Sequence, residues 1–198
     1  MDPTAQKPLI RVRQFLATCA FAIALAFVIN AAFGDRTLPT VLVEGQPIAA
    51  QIGWGITFGL AISVPFAVIV FFVPLFSSFR RQLLDLVSRL DLEALNPLWI
   101  SLSAGIGEEL LFRGALQPIV GLWWTSSIFT LAHFGSGQFR SMNWQKLIYA
   151  TSVFIAGLFL GYVFVKFGLI AAIVTHATVD VISLFTAQRL LRVYPTCG

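Results

Sequence analysis

Gly105-Ile106-Gly107-Glu108-Glu109-Leu110-Leu111-Phe112-Arg113 sets three ionisable residues inside an otherwise apolar stretch, and its reading decides what kind of helical protein this is. Charged side chains at membrane depth are costly and turn toward a protein interior, so two adjacent carboxylates there signal a functional site. On a helix, Glu109 and Arg113 stand four residues apart with the acid on the N-terminal side, the favourable order for an ion pair. Glu108 projects about 100° away from Glu109. One carboxylate is therefore neutralised by its own helix, while the other is aimed at something the rest of the chain must supply.

Composition sets the environment of that stretch. Of 198 residues, 58% are hydrophobic and only 11% charged, and the mean hydropathy is +0.85, well outside the usual range of soluble domains. The expectation is an all-α polytopic membrane protein, one membrane domain over residues 1–198, with no room for a soluble domain beside it. The net charge of +4 reads as membrane topology, and a nucleic-acid partner is not expected. Cys19 and Cys197 suggest neither a disulfide framework nor a cysteine zinc site. Cys197, followed by Gly198 alone, does not fit a prenylation signal. Phe15 to Phe33 is too long for a signal peptide and has no clear cleavage site before Gly34, so it reads as a retained span.

Outward from the glutamates, the chain reads as about six transmembrane helices. The first is Phe15–Phe33 and the second Ile48–Phe76, where Pro65 and Pro74 are expected to kink or end the helix. Between Ser77 and Leu95, Phe79, Leu83, Val87, Leu90 and Ala94 recur at helical spacing with charges on the other faces, as in an amphipathic helix lying at the interface. Asn96-Pro97 breaks the chain before a third span, Leu98–Ile119, which carries the glutamate pair roughly 15 Å deep at helical rise. Leu122–Phe134 is short, ends in His133, and reads as a broken or partial crossing. The fifth and sixth spans, Leu147–Phe167 and Leu169–Leu191, meet at Gly168. With both ends in the cytoplasm, Lys7, Arg11, Arg13, Arg80, Arg81, Arg89, Arg140, Lys146, Arg189 and Arg192 fall inside, against Arg36 and Lys166 outside.

The only two histidines, His133 and His176, both lie in this apolar half. His133 closes Phe129-Thr130-Leu131-Ala132-His133. His176 opens His176-Ala177-Thr178-Val179-Asp180, whose spacing puts His and Asp on one helix face. Glu108, His133, His176 and Asp180 are costly in lipid unless they converge on one cavity.

Three motifs in order on apolar helices, Glu108-Glu109-x-x-x-Arg113, Phe129-x-x-x-His133 and His176-x-x-x-Asp180, resemble the CPBP family of intramembrane proteases. That family takes in the type II CAAX prenyl endopeptidases and the bacterial Abi proteins. The resemblance covers residues 97–185 and implies a helical core around a water-filled cavity open toward the cytoplasmic leaflet. It implies an endopeptidase acting on a membrane-associated protein or peptide, in which Glu108 activates water that His133 helps to hold, and His176 and Asp180 face the substrate carbonyl. Such chemistry needs a base for water and donors for the oxyanion. Glu109 and Arg113 are then supporting residues that fix the helix around Glu108.

Where the family often carries Asn, this chain has Asp180, and an ionised Asp cannot donate to an oxyanion. That leaves it as a metal ligand or as a partner orienting His176. Glu108, His133, His176 and Asp180 suffice in number and type for one divalent metal, zinc above others, although no His-Glu-x-x-His is present. The expectation is a metal-assisted protease, with a metal-free glutamate mechanism open beside it.

Two other readings compete. A rhomboid-type serine protease would use Ser136 between Gly135 and Gly137, but Phe134 occupies the first position of the Gly-x-Ser-Gly pattern. A non-catalytic immunity or scaffolding protein would keep the fold and use its cavity for binding. Buried Glu, His and Asp also suit a proton-coupled transporter, but the inverted repeats of many transporters are not visible.

Overall fold

The structure, a computed structural model, describes residues 10–134 and 144–193. Lys7, Ser136 with its flanking glycines, Arg140 and Cys197 lie outside the described residues, as does the side chain of Phe79. Among the described residues the chain is helical, with no strand beyond a single bridge between Ile10 and Leu90.

In order run α1 (Val12–Phe33), α2 (Leu38–Val43), α3 (Ile48–Phe72), α4 (Ser77–Val87), α5 (Asn96–Glu109), a π-helical segment (Leu110–Leu116), α6 (Gln117–Phe134), α7 (Trp144–Phe167) and α8 (Leu169–Val193). Among the described residues, four helices are long and apolar enough to cross a membrane, over Val12–Phe33, Ile48–Val70, Lys146–Phe167 and Leu169–Arg192. Phe21, Val28, Trp123, Trp124, Trp144 and Val165 stand largely exposed. An apolar surface of this extent is stable only against lipid, where helices satisfy their own backbone. The chain is an integral membrane protein.

Helix ends sort into two groups. At one end the Gln46 N–H donates to the Phe167 carbonyl at 3.0 Å, which ties the entry of α3 to the turn between α7 and α8. Gly168 turns there with φ +115°, and a Cβ would lie 2.4 Å from Gln51 Oε1, so only glycine fits. At the other end, Ile10 exchanges backbone hydrogen bonds with Arg89 and Asp91 at 2.8 and 3.0 Å. Val12, Phe15, Val87, Leu90, Leu92, Ile100, Leu184 and Leu191 form one apolar cluster there. Arg36 and Lys166 therefore sit toward one end of the bundle, and Arg11, Arg13, Arg89, Arg189 and Arg192 toward the other.

Several boundaries differ from the sequence expectation. The second apolar run ends as a helix at Phe72, and Pro65 lies inside it without ending it. A membrane-embedded helix tolerates the carbonyl that proline frees when neighbouring groups meet it. Pro74 opens a short 3-10 turn instead. The amphipathic helix stops at Val87, and residues 88–95 form an irregular segment whose Leu90 and Leu92 join the cluster just described. The loop after α1 contains an unforeseen helix, α2, capped by Thr37, whose hydroxyl accepts from the Thr40 N–H at 3.4 Å. The third apolar run does not stop at Ile119 but continues to Gly121, whose φ of +82° and ψ of +169° break the helix inside α6.

Glycines set how closely helices approach. A Cβ on Gly59 of α3 would lie 2.4 Å from the Thr178 Cβ of α8, whereas a Cβ on Gly53 meets nothing within 4 Å. Gly59→Ala is expected to destabilise by roughly 1–3 kcal/mol, as overpacking does, and Gly53→Ala to leave stability unchanged. Thermal melts of the two variants in detergent check this, and equal melting points would contradict the packing described.

Candidate active site

Glu108 and Glu109 close α5, where the helix widens into its π-helical segment. The Gln117 N–H reaches the Phe112 carbonyl five residues back, and such widened turns recur at functional sites. Glu109 and Arg113 are fully buried, with Arg113 Nη1 2.9 Å from Glu109 Oε1. The second guanidinium nitrogen, Nη2, donates to the Gly157 carbonyl of α7 at 3.1 Å. One turn on, Gln117 Nε2 donates to the Gly161 carbonyl at 3.0 Å. Gly157 and Gly161, four apart, let α7 come close enough to offer its backbone to both side chains.

Glu109 does more than pair within its own helix. The same oxygen that meets Arg113 lies 2.8 Å from His176 Nδ1 of α8. A carboxylate oxygen can accept more than one hydrogen bond, so Glu109 joins Arg113 to His176 in one buried array. His176 Nε2 then faces Asp180 Oδ2 at 3.6 Å, beyond hydrogen-bond range. His176 is thus flanked by two carboxylates, with Glu109 in hydrogen-bond range at Nδ1 and Asp180 in ion-pair range at Nε2.

His133 lies at the end of α6. Its Nδ1 is 2.9 Å from the Phe129 carbonyl, and since a carbonyl only accepts, Nδ1 carries the proton and Nε2 presents a lone pair in the neutral ring. Nε2 stands 4.0 Å from Glu108 Oε2, and that oxygen is buried with no hydrogen-bond partner among the described residues. The gap is too long for a direct hydrogen bond. It suits one water that donates a proton to each side.

Exposure divides the site into two layers. Glu109 and Arg113 are inaccessible, at 0% each, while the side chains of Glu108, His133 and Asp180 are 31%, 30% and 34% exposed. The outer layer is open to another molecule, and the inner one is sealed behind it. Asp180 lies within electrostatic reach of Glu108, Glu109 and His133. So does Tyr149 of α7 with respect to Asp180 and Glu108, a neighbour the sequence reading did not single out.

The expected zinc set is not gathered as these side chains stand. Among the described residues no three His, Cys, Asp or Glu side chains come together in a way that could hold a metal ion. His176 turns Nδ1 to Glu109, and Glu108 faces His133 across the 4.0 Å gap.

Residues 91–182, which carry Glu108, Glu109, Arg113, His133, His176 and Asp180, match the family model described as type II CAAX prenyl endopeptidase Rce1-like. Over 83 residues the chain is 31% identical to the sporulation-killing factor biosynthesis protein SkfC of Bacillus subtilis (strain 168). The aligned stretch is 39% of this chain and 16% of that protein. No solved structure matches the chain significantly. The resemblance read from the three motifs thus rests on a family match across the segment that holds them.

Proposed function

We propose that the chain is a CAAX-type intramembrane endopeptidase, with residues 97–185 as its catalytic core, that hydrolyses a peptide bond of a membrane-associated protein or peptide. The observation that carries this is a buried Glu108 oxygen, with no hydrogen-bond partner among the described residues, that faces His133 Nε2 across 4.0 Å on the accessible layer of the site. A water in that gap gives one proton to each acceptor and turns its lone pairs toward the substrate. Glu108 takes a proton as the water attacks the carbonyl carbon. The resulting oxyanion faces His176, which donates from Nε2 when both ring nitrogens carry protons, with Asp180 beside that imidazolium. Glu108 then passes its proton to the leaving amine, so the products are a new carboxyl and a new amino terminus.

Both ends of the chain lie on the cytoplasmic side in this proposal, from the charge asymmetry between the bundle ends. The helical run from α5 through the π segment and the returning part of α6 supply the remaining two of about six crossings. Reporter fusions that read either end as external would overturn that arrangement. A non-catalytic scaffold is the weaker reading, because it has no use for an open layer of Glu, His and Asp backed by a buried charge array.

Comparison of new protein N-termini in membranes containing the wild-type chain or its Glu108→Gln variant tests the activity and names the substrate together. Membrane-protein termini that appear only with the wild type support the proposal, and identical sets would refute it.

The steps above are written for the metal-free route, and zinc held by Glu108, His133, His176 and Asp180 is the alternative route. Asp180→Asn separates this route from zinc assistance. On the metal-free route the Asn N–H can donate to the oxyanion, and activity is expected to be kept or raised. With Asp180 as a ligand, both bound metal and rate would fall. Metal analysis and chelation of the purified protein read the difference directly.

A further inference from the structure

We infer that Arg113, Gln117 and Thr125 enclose a binding site for one buried water molecule, in the hairpin that α6 makes with the π-helical segment. Arg113 Nε, Gln117 Oε1 and Thr125 Oγ1 are buried polar atoms with no hydrogen-bond partner among the described residues. Their residues are 0%, 6% and 1% exposed. The two further atoms of this kind, Glu108 Oε2 and Glu109 Oε2, belong to the carboxylates already described. The hairpin turns at Gly121, where the backbone leaves the helix, and residues equally far from that turn come to face each other. Two helical turns to either side, the Arg113 guanidinium stands 4.5 Å over the Phe129 ring. Farther out, Glu108 faces His133 across 4.0 Å. Gln117 and Thr125 stand one turn to either side of Gly121 and fall opposite each other in the same register. Arg113 and Gln117 share a helix face, since both donate to carbonyls of α7, those of Gly157 and Gly161.

Each atom is left over for a reason that can be named. Buried Ser and Thr hydroxyls in these helices donate to the carbonyl four residues back, as Ser126, Thr130 and Thr175 do. For Thr125 that residue is Gly121, whose φ of +82° and ψ of +169° break the helix. Gln117 Nε2 is held by the Gly161 carbonyl, and because a carbonyl only accepts, Oε1 is the amide atom without a partner. Arg113 engages Glu109 and Gly157 through its two Nη atoms, which leaves the Nε proton. One water accepts from Arg113 Nε, donates to Gln117 Oε1 and meets the Thr125 hydroxyl, which serves as donor or acceptor. About three such partners, drawn from otherwise unsatisfied groups, are the usual complement of a buried water. The water ties the returning half of α6 to Arg113 inside the sealed layer, and the inference stands whether or not the site hydrolyses a peptide bond.

The test combines thermal melts of the full chain in detergent with a structure that shows ordered water. Thr125→Val keeps the shape of the side chain and removes its hydroxyl. With a water in place the change takes away one of its partners, and the melting point is expected to fall by about 2–4 °C, the shift that the loss of one hydrogen bond produces in a chain of this size. A hydroxyl without any partner gives the opposite sign, because deleting a buried unpaired polar group is neutral or stabilising. A Thr125→Val melting point at or above that of the wild type would therefore overturn the inference. In a Gln117→Met background, where the acceptor for the water is gone, Thr125→Val is expected to cost less than in the wild type, and an undiminished cost would show that the two side chains share no partner. The structure is expected to place one water within about 3 Å of Arg113 Nε, Gln117 Oε1 and Thr125 Oγ1. A direct hydrogen bond between Thr125 and Gln117, with no water between them, would overturn the inference whatever the melts show.

Discussion

Glu108→Gln is expected to lower the cleavage rate by about 10²–10⁴-fold, the usual worth of a positioned general base, while leaving the protein folded. The amide keeps the size of the carboxyl but cannot accept a proton from water at neutral pH. It also changes the gap facing His133, since an amide nitrogen placed there donates where the carboxylate oxygen accepts. Folding is spared because Glu108 is 31% exposed and its Oε2 has no hydrogen-bond partner to lose among the described residues. Initial rates on a membrane-inserted peptide, with a thermal melt beside them, separate the two effects. A variant that cleaves at the wild-type rate would remove Glu108 from the mechanism.

Arg113→Ala is expected to act on the other layer and to fail in folding. Removing one member of a buried ion pair leaves an uncompensated charge, at a cost of about 3–5 kcal/mol. Here the stranded group is Glu109, fully buried, and its remaining partner is His176. The Gly157 carbonyl and the face of Phe129 lose their contacts with the guanidinium as well. Folded yield in detergent should fall sharply, and the double variant Glu109→Gln with Arg113→Ala should recover part of it by removing the stranded charge. Equal folding losses in Arg113→Ala and Glu108→Gln would contradict the division into an inaccessible supporting layer and an accessible reactive one.

Much of this architecture was legible because long apolar runs leave a chain few choices. The helices around residues 12–33, 144–167 and 169–193 follow the runs read from sequence within a few residues. The third run was harder, since nothing in Leu110–Leu116 distinguishes a π turn from an α turn by composition. The break at Gly121 does carry a signal, a glycine just before Leu122, where the fourth segment was read to begin. Of the two outcomes expected at Pro65, a kink or an end, the helix does not end there, since proline is tolerated inside membrane helices where neighbouring groups meet the freed carbonyl.

At the site, i, i+4 spacing gave the Glu109–Arg113 pair and the shared face of His176 and Asp180. It could not give Glu109 to His176, a contact between helices 67 positions apart. Counting Glu109 as satisfied by Arg113 hid that link, although a carboxylate has acceptor capacity to spare. The backbone acceptors on α7 were hidden for a related reason. Gly157 and Gly161 announce close approach, but not which side chains come to meet them.

The central claim is that Glu108 and His133 hold the hydrolytic water between them, and experimental density in that gap tests it most directly. A structure of the wild-type protein in lipid, at a resolution that shows ordered water, is predicted to place one water within about 3 Å of both Glu108 Oε2 and His133 Nε2. A direct Glu108–His133 hydrogen bond that closes the gap, or a metal ion bound there by three of the four side chains, would contradict it.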